Sequence, residues 1–307
     1  GYFMHPTRAF DWSKESRELL ATYGITSLAV IAISAITAPA LHFSIRSRSI
    51  NALSAALFGA GALDSRFIWP VSTSIGAIWF LLALFWAHLY IHIAARSRFL
   101  PLFIVLAFIV GYFSARIIWL PISFQAGLAA TPYLYIGYLG KKYDILKFLR
   151  KYSYLWIIPF SIWVLFIWKF SGFSMALNQY GHLPVLAFFG SICGSLCIVG
   201  ISMLIERGSA HISSILALAG RYTLPLLCVH LMEDATTPWW LVIPFINSIS
   251  RGHAVPYIIF VSRLVIDVLL VMGLYHVPRI NLIFFPILDK RMKELNPIEG
   301  AKAETAS

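Results

Sequence analysis

A histidine, two carboxylates and an arginine lie within one short stretch of this chain, residues 219–234. Arg221 stands near its start, and after an apolar run it ends on His230, Glu233 and Asp234. His230 and Asp234 are four residues apart and therefore share one face of a helix. A carboxylate at that spacing orients an imidazole and stabilises its protonated form, as a general base requires. Alternatively, His230 ends an apolar helix at the water interface and the acidic pair is solvated; spacing alone leaves both interpretations open.

The composition indicates a membrane protein. Hydrophobic residues make up 59% of the 307 residues and charged residues only 12%, with a mean hydropathy of +0.79, whereas soluble domains carry about 25% charged residues. The net charge of +11 does not indicate nucleic-acid binding, because the basic residues lie between apolar runs rather than among base-stacking aromatics. The three cysteines fall within apolar runs and form neither a disulfide framework nor a metal-ligand cluster. We therefore expect a lipid bilayer as the surroundings, no nucleic-acid partner and no bound metal.

Apolar runs separated by charged loops predict an all-α, polytopic helical bundle with about eight transmembrane helices. The small-residue segment 52–62 is too short to cross about 30 Å of hydrocarbon, and we expect it to lie in the interface. Residues 1–280 are predicted to form one transmembrane domain, and residues 281–307 a basic, partly disordered cytoplasmic tail. The eight predicted spans cover approximately residues 21–43, 72–95, 99–119, 122–140, 153–170, 183–205, 212–232 and 255–276.

The distribution of lysine and arginine predicts the orientation of these spans. Eight alternating crossings place most basic residues on one side, including the cluster between Lys141 and Lys151, and this side is predicted to be cytoplasmic. Both ends of the chain are then cytoplasmic. His230 and its acidic neighbours reach the outer face, while Arg221 lies deeper.

Ionisable residues inside predicted spans are candidates for function, because they are costly in hydrocarbon. Arg263 and Asp267 lie four residues apart in the last span and are expected to pair with each other. The pair either stabilises the bundle or lines a substrate path. Arg221, near the middle of the preceding span, is a further candidate for substrate binding.

The remaining candidates carry weaker signals. His88 and His92 have a spacing that suits a metal ion, but no third ligand is evident, so they are interpreted as interface histidines. Gln125 and Asn178 are candidates for contact with an acceptor. Trp79 lies on an aromatic stretch that is either a packing surface or a platform for a substrate.

Four segments resemble sequences of the acyltransferase-3 membrane proteins, which acylate glycans and other cell-surface acceptors. Residues 1–3 resemble the end of that family's second span, and residues 79–85 resemble its Trp-Phe-Leu-x-Ala-Leu-Phe segment. Residues 120–137 resemble its Leu-Pro-Phe segment, and residues 220–230 its Gly-Lys-x-Ser-Leu-x-Ile-Tyr-x-x-His segment. The order of the segments also agrees with the family's.

The resemblance implies a bacterial plasma-membrane enzyme that transfers an acetyl or other acyl group. The donor is cytoplasmic acetyl-CoA, with no bound cofactor, and the acceptor is a hydroxyl of an extracytoplasmic carbohydrate. The family has ten spans, and its first span carries a basic residue and a catalytic histidine. No residue here matches either, which leaves two alternatives: the chain is a fragment or split product of a longer protein, or the catalytic histidine has been lost. The resemblance leaves the acceptor, the acyl length and the oligomeric state open.

His230 and Asp234 are therefore the predicted catalytic residues. The predicted contacts to donor or acceptor are Arg221, Arg263, Asp267, Asn178, Gln125 and Trp79. The alternative function is a multi-pass transporter or exporter of a surface-glycan precursor, in which the intramembrane charges line a path. Transporters often contain internal repeats, and the absence of a convincing repeat here favours the enzyme.

Overall fold

The chain folds into α-helices throughout the part that the structure describes. The computed structural model describes residues 1–2, 4, 10–63, 66–250 and 254–277, with the backbone alone at residues 240 and 250. In these ranges the only extended pairings are two isolated bridges, Phe67 with Trp119 and Ser174 with Gln179. The predicted cytoplasmic tail, residues 281–307, lies outside the described residues.

Helix α1 contains a π-helical stretch, Ser16–Ala21, and short 3₁₀ turns precede α3 and α7. The helices are α1 (Trp12–Thr37), α2 (Ile45–Phe58), α3 (Trp79–Ala94), α4 (Leu100–Ser114), α5 (Phe124–Lys142), α6 (Ile145–Lys151), α7 (Ile157–Trp168), α8 (Pro184–Gly208), α9 (Ala210–Thr236), α10 (Trp239–Ser250) and α11 (Val255–Tyr275).

Five of the helices in the described ranges are long and apolar enough to cross a membrane: α1, α3 (extended to Gly76), α8, α9 and α11. The count becomes six if α6 and Ser153–Trp168, which meet at a bend of 116°, form one broken span. The chain is thus a helical membrane protein, as predicted. The other two predicted spans correspond to α4, which has only 15 residues, and to α5, which has 19 residues but contains Gln125, Thr131, Pro132 and two lysines.

Two helices bear on predictions for the loops. Helix α2 contains residues 52–58 of the segment 52–62 that is expected to lie in the interface. Its 14 residues extend about 21 Å at 1.5 Å per residue, which is short of the hydrocarbon thickness. Helix α10 was not predicted. It begins at Trp239 and contains Pro244.

The described chain divides into two compact units. Among the described residues, the first comprises those within 1–15 and 54–215, and the second residues 16–53, 216–250 and 254–277.

In the first unit, helices α3, α4 and α5 pack against one another. Small residues allow the close approach, since a Cβ added at Gly127 would lie 2.4 Å from Trp86 Cβ and one at Gly111 would meet the backbone of α5 at 2.9 Å. Tyr90, Ala107 and Leu128 form the buried centre of this contact. Such small-residue interfaces are typical of membrane helices.

Helices α7 and α8 form a second packed pair in the first unit. Three glycines of α8 face aromatic rings of α7 and the turn before it: Gly190 faces Phe166, Gly194 faces Trp163 and Gly200 faces Trp156. The aromatic rings therefore pack into the space that the glycines of α8 leave open, and a larger side chain at Gly190 would displace the Phe166 ring.

The second unit contains most of α1, the C-terminal part of α9, and helices α10 and α11. Most side chains of α11 are exposed apolar residues, as expected of a helix facing lipid, whereas Val255, Asp267 and Val271 are buried. The buried face of α11 therefore carries a carboxylate.

Candidate active site

Four of the predicted site residues meet in the second unit, between the end of α9 and the middle of α11. Helix α9 supplies His230 and Asp234 together with Glu233, and α11 supplies Arg263 and Asp267. Glu233 is 2% exposed and Asp267 is 4% exposed. Two carboxylates are thus buried in an otherwise apolar pair of helices, where charge is expensive unless it is paired.

Asp267 holds the imidazole of His230. The distance from His230 Nδ1 to Asp267 Oδ2 is 2.9 Å, and Nδ1 lies 3.7 Å from Glu233 Oε2. With an ionised Asp267 as acceptor, Nδ1 carries the proton and Nε2 keeps its lone pair. The His230 side chain is 37% exposed, so the ring is anchored at one nitrogen without being enclosed.

Arg263 compensates the other two carboxylates. Its Nε and Nη2 atoms donate to Glu233 Oε2 at 3.1 and 2.8 Å, and Nη2 also donates to Asp234 Oδ1. These charge-assisted hydrogen bonds are about twice as strong as neutral ones. In addition, the guanidinium carbon lies 4.8 Å from the centre of the Trp239 ring at the start of α10.

A second arginine binds the end of α9, where Arg48 Nη2 of α2 donates to the carbonyl oxygen of Ala235 at 3.0 Å. Helix C-termini carry partial negative charge, which this guanidinium offsets. Two buried carboxylate oxygens of the cluster, Glu233 Oε1 and Asp267 Oδ1, have no hydrogen-bond partner among the described residues. The cluster therefore retains unused acceptor capacity beside His230.

The pairing of these side chains differs from the pairing that the sequence predicted. Asp234 was expected to orient His230, and Arg263 was expected to pair with Asp267; instead Asp267 binds His230 and Asp234 binds Arg263. The physical reason is that both carboxylates find a partner across the helix interface. Each predicted intrahelical pair is thereby replaced by an interhelical one.

The arrangement suits proton transfer at His230. The lone pair of Nε2 can accept a proton from a hydroxyl group, and Asp267 stabilises the imidazolium that forms. The Arg263 guanidinium lies beside this nitrogen, with Nη2 3.4 Å from His230 Nε2. Both Nη2 hydrogens are directed to Glu233 and Asp234, so Nη1 is the atom that can donate to a developing oxyanion.

The same residues also offer ligands for a cation. His230, Glu233 and Asp267 each provide one ligand atom, and these atoms lie within 4.8 Å of one another. Imidazole with two carboxylates suits a divalent transition metal. Arg263 already donates twice to Glu233 Oε2, so a cation would bind at the unpartnered oxygens or displace those hydrogen bonds.

Gln125 and Asn178 belong to the first unit, where they bind backbone. Gln125 is 1% exposed; its Nε2 donates to the carbonyl of Ile118 and its Oε1 accepts from the amide of Leu120, both at 2.6 Å. Asn178 adopts a left-handed conformation with φ of 51°, and its Nδ2 donates to the carbonyl oxygens of Gly111 and Gln125, each at 3.0 Å. Both side chains therefore have a structural role, Gln125 as donor and acceptor and Asn178 as donor.

Trp79 is also in the first unit, where its ring covers Gly61, so it makes a packing contact. His88 and His92 lie in this unit too: His88 Nδ1 contacts Glu15 Oε2 at 3.0 Å, and His92 Nδ1 contacts the His88 carbonyl at 2.8 Å. Trp79, His88 and His92 are therefore not part of the His230 cluster.

Arg221 is exposed on α9. It lies about 13 Å along the helix axis from His230 at 1.5 Å per residue, so it is not part of the His230 cluster either.

Sequence reasoning left three members of the cluster without a role. Glu233 is three residues after His230, so the same periodicity that selected Asp234 also places Glu233 near that face. Trp239 and Arg48 gave no such signal, because their contacts depend on how α10 and α2 pack against the end of α9.

Comparison of the chain with models of known protein families, with curated proteins and with solved structures finds no match. The resemblance to acyltransferase-3 proteins therefore rests on the four sequence segments alone.

Proposed function

We propose that this protein is a membrane-bound acyltransferase that moves an acetyl group from cytoplasmic acetyl-CoA to a hydroxyl of an extracytoplasmic carbohydrate. The observation that carries the proposal is the contact of His230 Nδ1 with buried Asp267 at 2.9 Å, next to a guanidinium 3.4 Å from Nε2. Acyl transfer to a hydroxyl needs a base for the hydroxyl proton and a donor for the oxyanion. The sequence segments described above support the same function.

In the proposed reaction, His230 Nε2 takes the proton of the acceptor hydroxyl as its oxygen attacks the thioester carbonyl. Arg263 donates through Nη1 to the oxyanion of the tetrahedral intermediate, while Asp267 stabilises the imidazolium. The carbon–sulfur bond then breaks, and the imidazolium returns the proton to the leaving thiolate. The products are an O-acetyl ester and free CoA. Glu233 and Asp234 hold Arg263 in position.

The membrane arrangement is part of the proposal. About eight spans in the plasma membrane of a bacterium, with both ends of the chain in the cytoplasm, would place His230 towards the outer face and the basic segment around α6 on the cytoplasmic side. Cysteines introduced at Lys147 and Asp234 test this orientation. The first is expected to react with a membrane-impermeant maleimide only after the cells are opened, and the second in intact cells.

The activity is tested by acetyl-CoA-dependent labelling of surface glycan in membranes from cells that carry chromosomal substitutions. General acid–base catalysis contributes about 10²- to 10⁴-fold, so His230→Ala is expected to lower labelling by at least about 100-fold. His88→Ala is the matched control, because His88 also contacts a carboxylate at 3.0 Å, in the first unit. Equal loss in both variants at equal protein levels, or no labelling by the unaltered protein, would overturn the proposal.

A transporter or exporter of a glycan precursor is the second candidate. The unpartnered oxygens Glu233 Oε1 and Asp267 Oδ1 favour it, because intramembrane carboxylates beside histidine are typical of proton pathways. In the labelling experiment, a transporter would change the amount of glycan at the surface while leaving the acetate content per glycan unchanged in His230→Ala.

A further inference from the structure

A groove of about 570 Å³ lies in the first unit, between the bend that joins α6 to α7 and the C-terminal half of α8. Its walls are apolar and aromatic, and they include Trp156, Phe160, Trp163 and Leu204. Gly200 contributes to the depth, since a Cβ there would lie 2.8 Å from the Trp156 ring. The volume falls within the range of about 300–1,000 Å³ that is usual for ligand sites.

Two arginines line this groove, Arg150 of α6 and Arg207 of α8. Both are exposed, and the side chain of neither makes a hydrogen bond or ion pair with any residue in the described part of the chain. The described lining contains no acidic residue. The groove therefore presents uncompensated positive charge beside an apolar wall.

Both arginines stand where apolar helix gives way to polar sequence. Helix α7 has no charged residue between Ile157 and Trp168, and the chain turns by 116° into the basic helix α6. Along α8, the apolar run ends at Glu206 and Arg207. A membrane protein places such boundaries at the level of the lipid headgroups.

We infer that this groove binds an anionic phospholipid, with the phosphate between Arg150 and Arg207 and an acyl chain along the apolar wall. Arginine forms bidentate hydrogen bonds with phosphate oxygens. A nucleotide fits this lining less well than a lipid, because it would leave the aliphatic part of the wall, Ile201, Met203 and Leu204, without an apolar partner. A second copy of this chain, with a net charge of +11, does not complement the arginines. The inference is independent of acyl transfer, since the groove and the His230 cluster belong to different units.

The test is native mass spectrometry of the purified full chain after addition of phosphatidylglycerol or phosphatidylcholine. A basic residue near an anionic lipid contributes about fivefold to binding, so Arg150→Gln/Arg207→Gln is expected to weaken phosphatidylglycerol retention by about 25-fold. The matched control is Arg96→Gln/Arg98→Gln, which removes the same charge from two exposed arginines outside the groove. This control is expected to retain the lipid.

A second variant tests the apolar wall without changing charge. Leu204→Trp narrows the groove and is expected to reduce phosphatidylglycerol retention. The charge-state distribution of the native mass spectrum and the helix content should stay unchanged, which would show that the variant is folded. Three results overturn the inference: equal retention of phosphatidylcholine by the unaltered chain, equal loss in both arginine double variants, or a dimer that occupies the groove and dissociates in the Leu204→Trp variant.

Discussion

Replacement of Arg263 by methionine is expected to destabilise the protein strongly, because it leaves Glu233 buried without a counter-charge. Glu233 is 2% exposed, and its Oε2 accepts two hydrogen bonds from Arg263. Removing one partner of a buried ion pair costs about 3–5 kcal/mol. Asp234, whose side chain is 49% exposed, contributes at most about 1 kcal/mol, because solvent screens exposed pairs. We therefore expect a loss of about 3–5 kcal/mol, most of it from Glu233.

A double-substitution cycle separates the ion pair from the packing of the arginine. Glu233→Gln removes the buried charge, so Arg263→Met should cost much less in that background. We expect the double variant Arg263→Met/Glu233→Gln to be more stable than the sum of the single effects by at least about 2 kcal/mol, since residues in one network are strongly coupled.

The assay is unfolding in mixed micelles with increasing denaturing detergent, followed by the helix signal in circular dichroism. Lys169→Met is the matched control. Lys169 lies 4.3 Å from the centre of the Trp168 ring, as Arg263 lies above Trp239, but it is exposed and no ion pair is found for it among the described residues. Loss of a cation–π contact at an exposed site costs about 0.5–1 kcal/mol. If Arg263→Met costs no more than Lys169→Met, the reasoning about Glu233 is refuted.

Three further predictions concern packing, backbone support and the imidazole. Gly190→Ala would place a Cβ 2.4 Å from Phe166 Cβ and is expected to lower the free energy of unfolding by about 1–3 kcal/mol in the same assay. Gly220→Ala is the control: a Cβ there meets nothing within 4 Å, so it should be neutral or stabilising by up to about 1 kcal/mol. Equal effects of the two substitutions would contradict the packing of α7 on α8. Asn178→Gly should lose about 1–3 kcal/mol, because the two hydrogen bonds from Asn178 Nδ2 to buried carbonyl oxygens disappear and each contributes about 0.5–1.5 kcal/mol. Asn178→Ala should lose about 1 kcal/mol more because φ is positive. An Ala variant as stable as the Gly variant would exclude that strain. Asp267→Asn should lower glycan labelling by about 100-fold or more, because an amide no longer stabilises the imidazolium, and full labelling would exclude Asp267 from the site.

Composition and hydropathy were sufficient for the fold class but not for the number of spans. The runs that became α1, α8, α9 and α11 are long and apolar, so their lengths follow directly from the sequence. The boundaries of α4 and α5 do not, because α4 ends at Ser114 before a turn that Gln125 holds through backbone hydrogen bonds. A buried glutamine that binds backbone resembles a polar site residue until its partners are known.

The candidate site was predictable in its members more than in its contacts. His230 and Asp234 are four residues apart on α9, and Arg263 and Asp267 are four apart on α11. If α9 and α11 were parallel at this position, His230 would face Arg263 and Asp234 would face Asp267. Both pairings are unfavourable, because each brings two basic or two acidic side chains together. In the antiparallel register each carboxylate faces a basic side chain, as observed for His230 with Asp267 and for Asp234 with Arg263. Equal spacing on two oppositely directed helices thus allows both charge pairs to form across the interface. The charge pattern therefore predicts the register of α9 and α11 once these two helices are known to be neighbours, but the pattern alone does not show that they are.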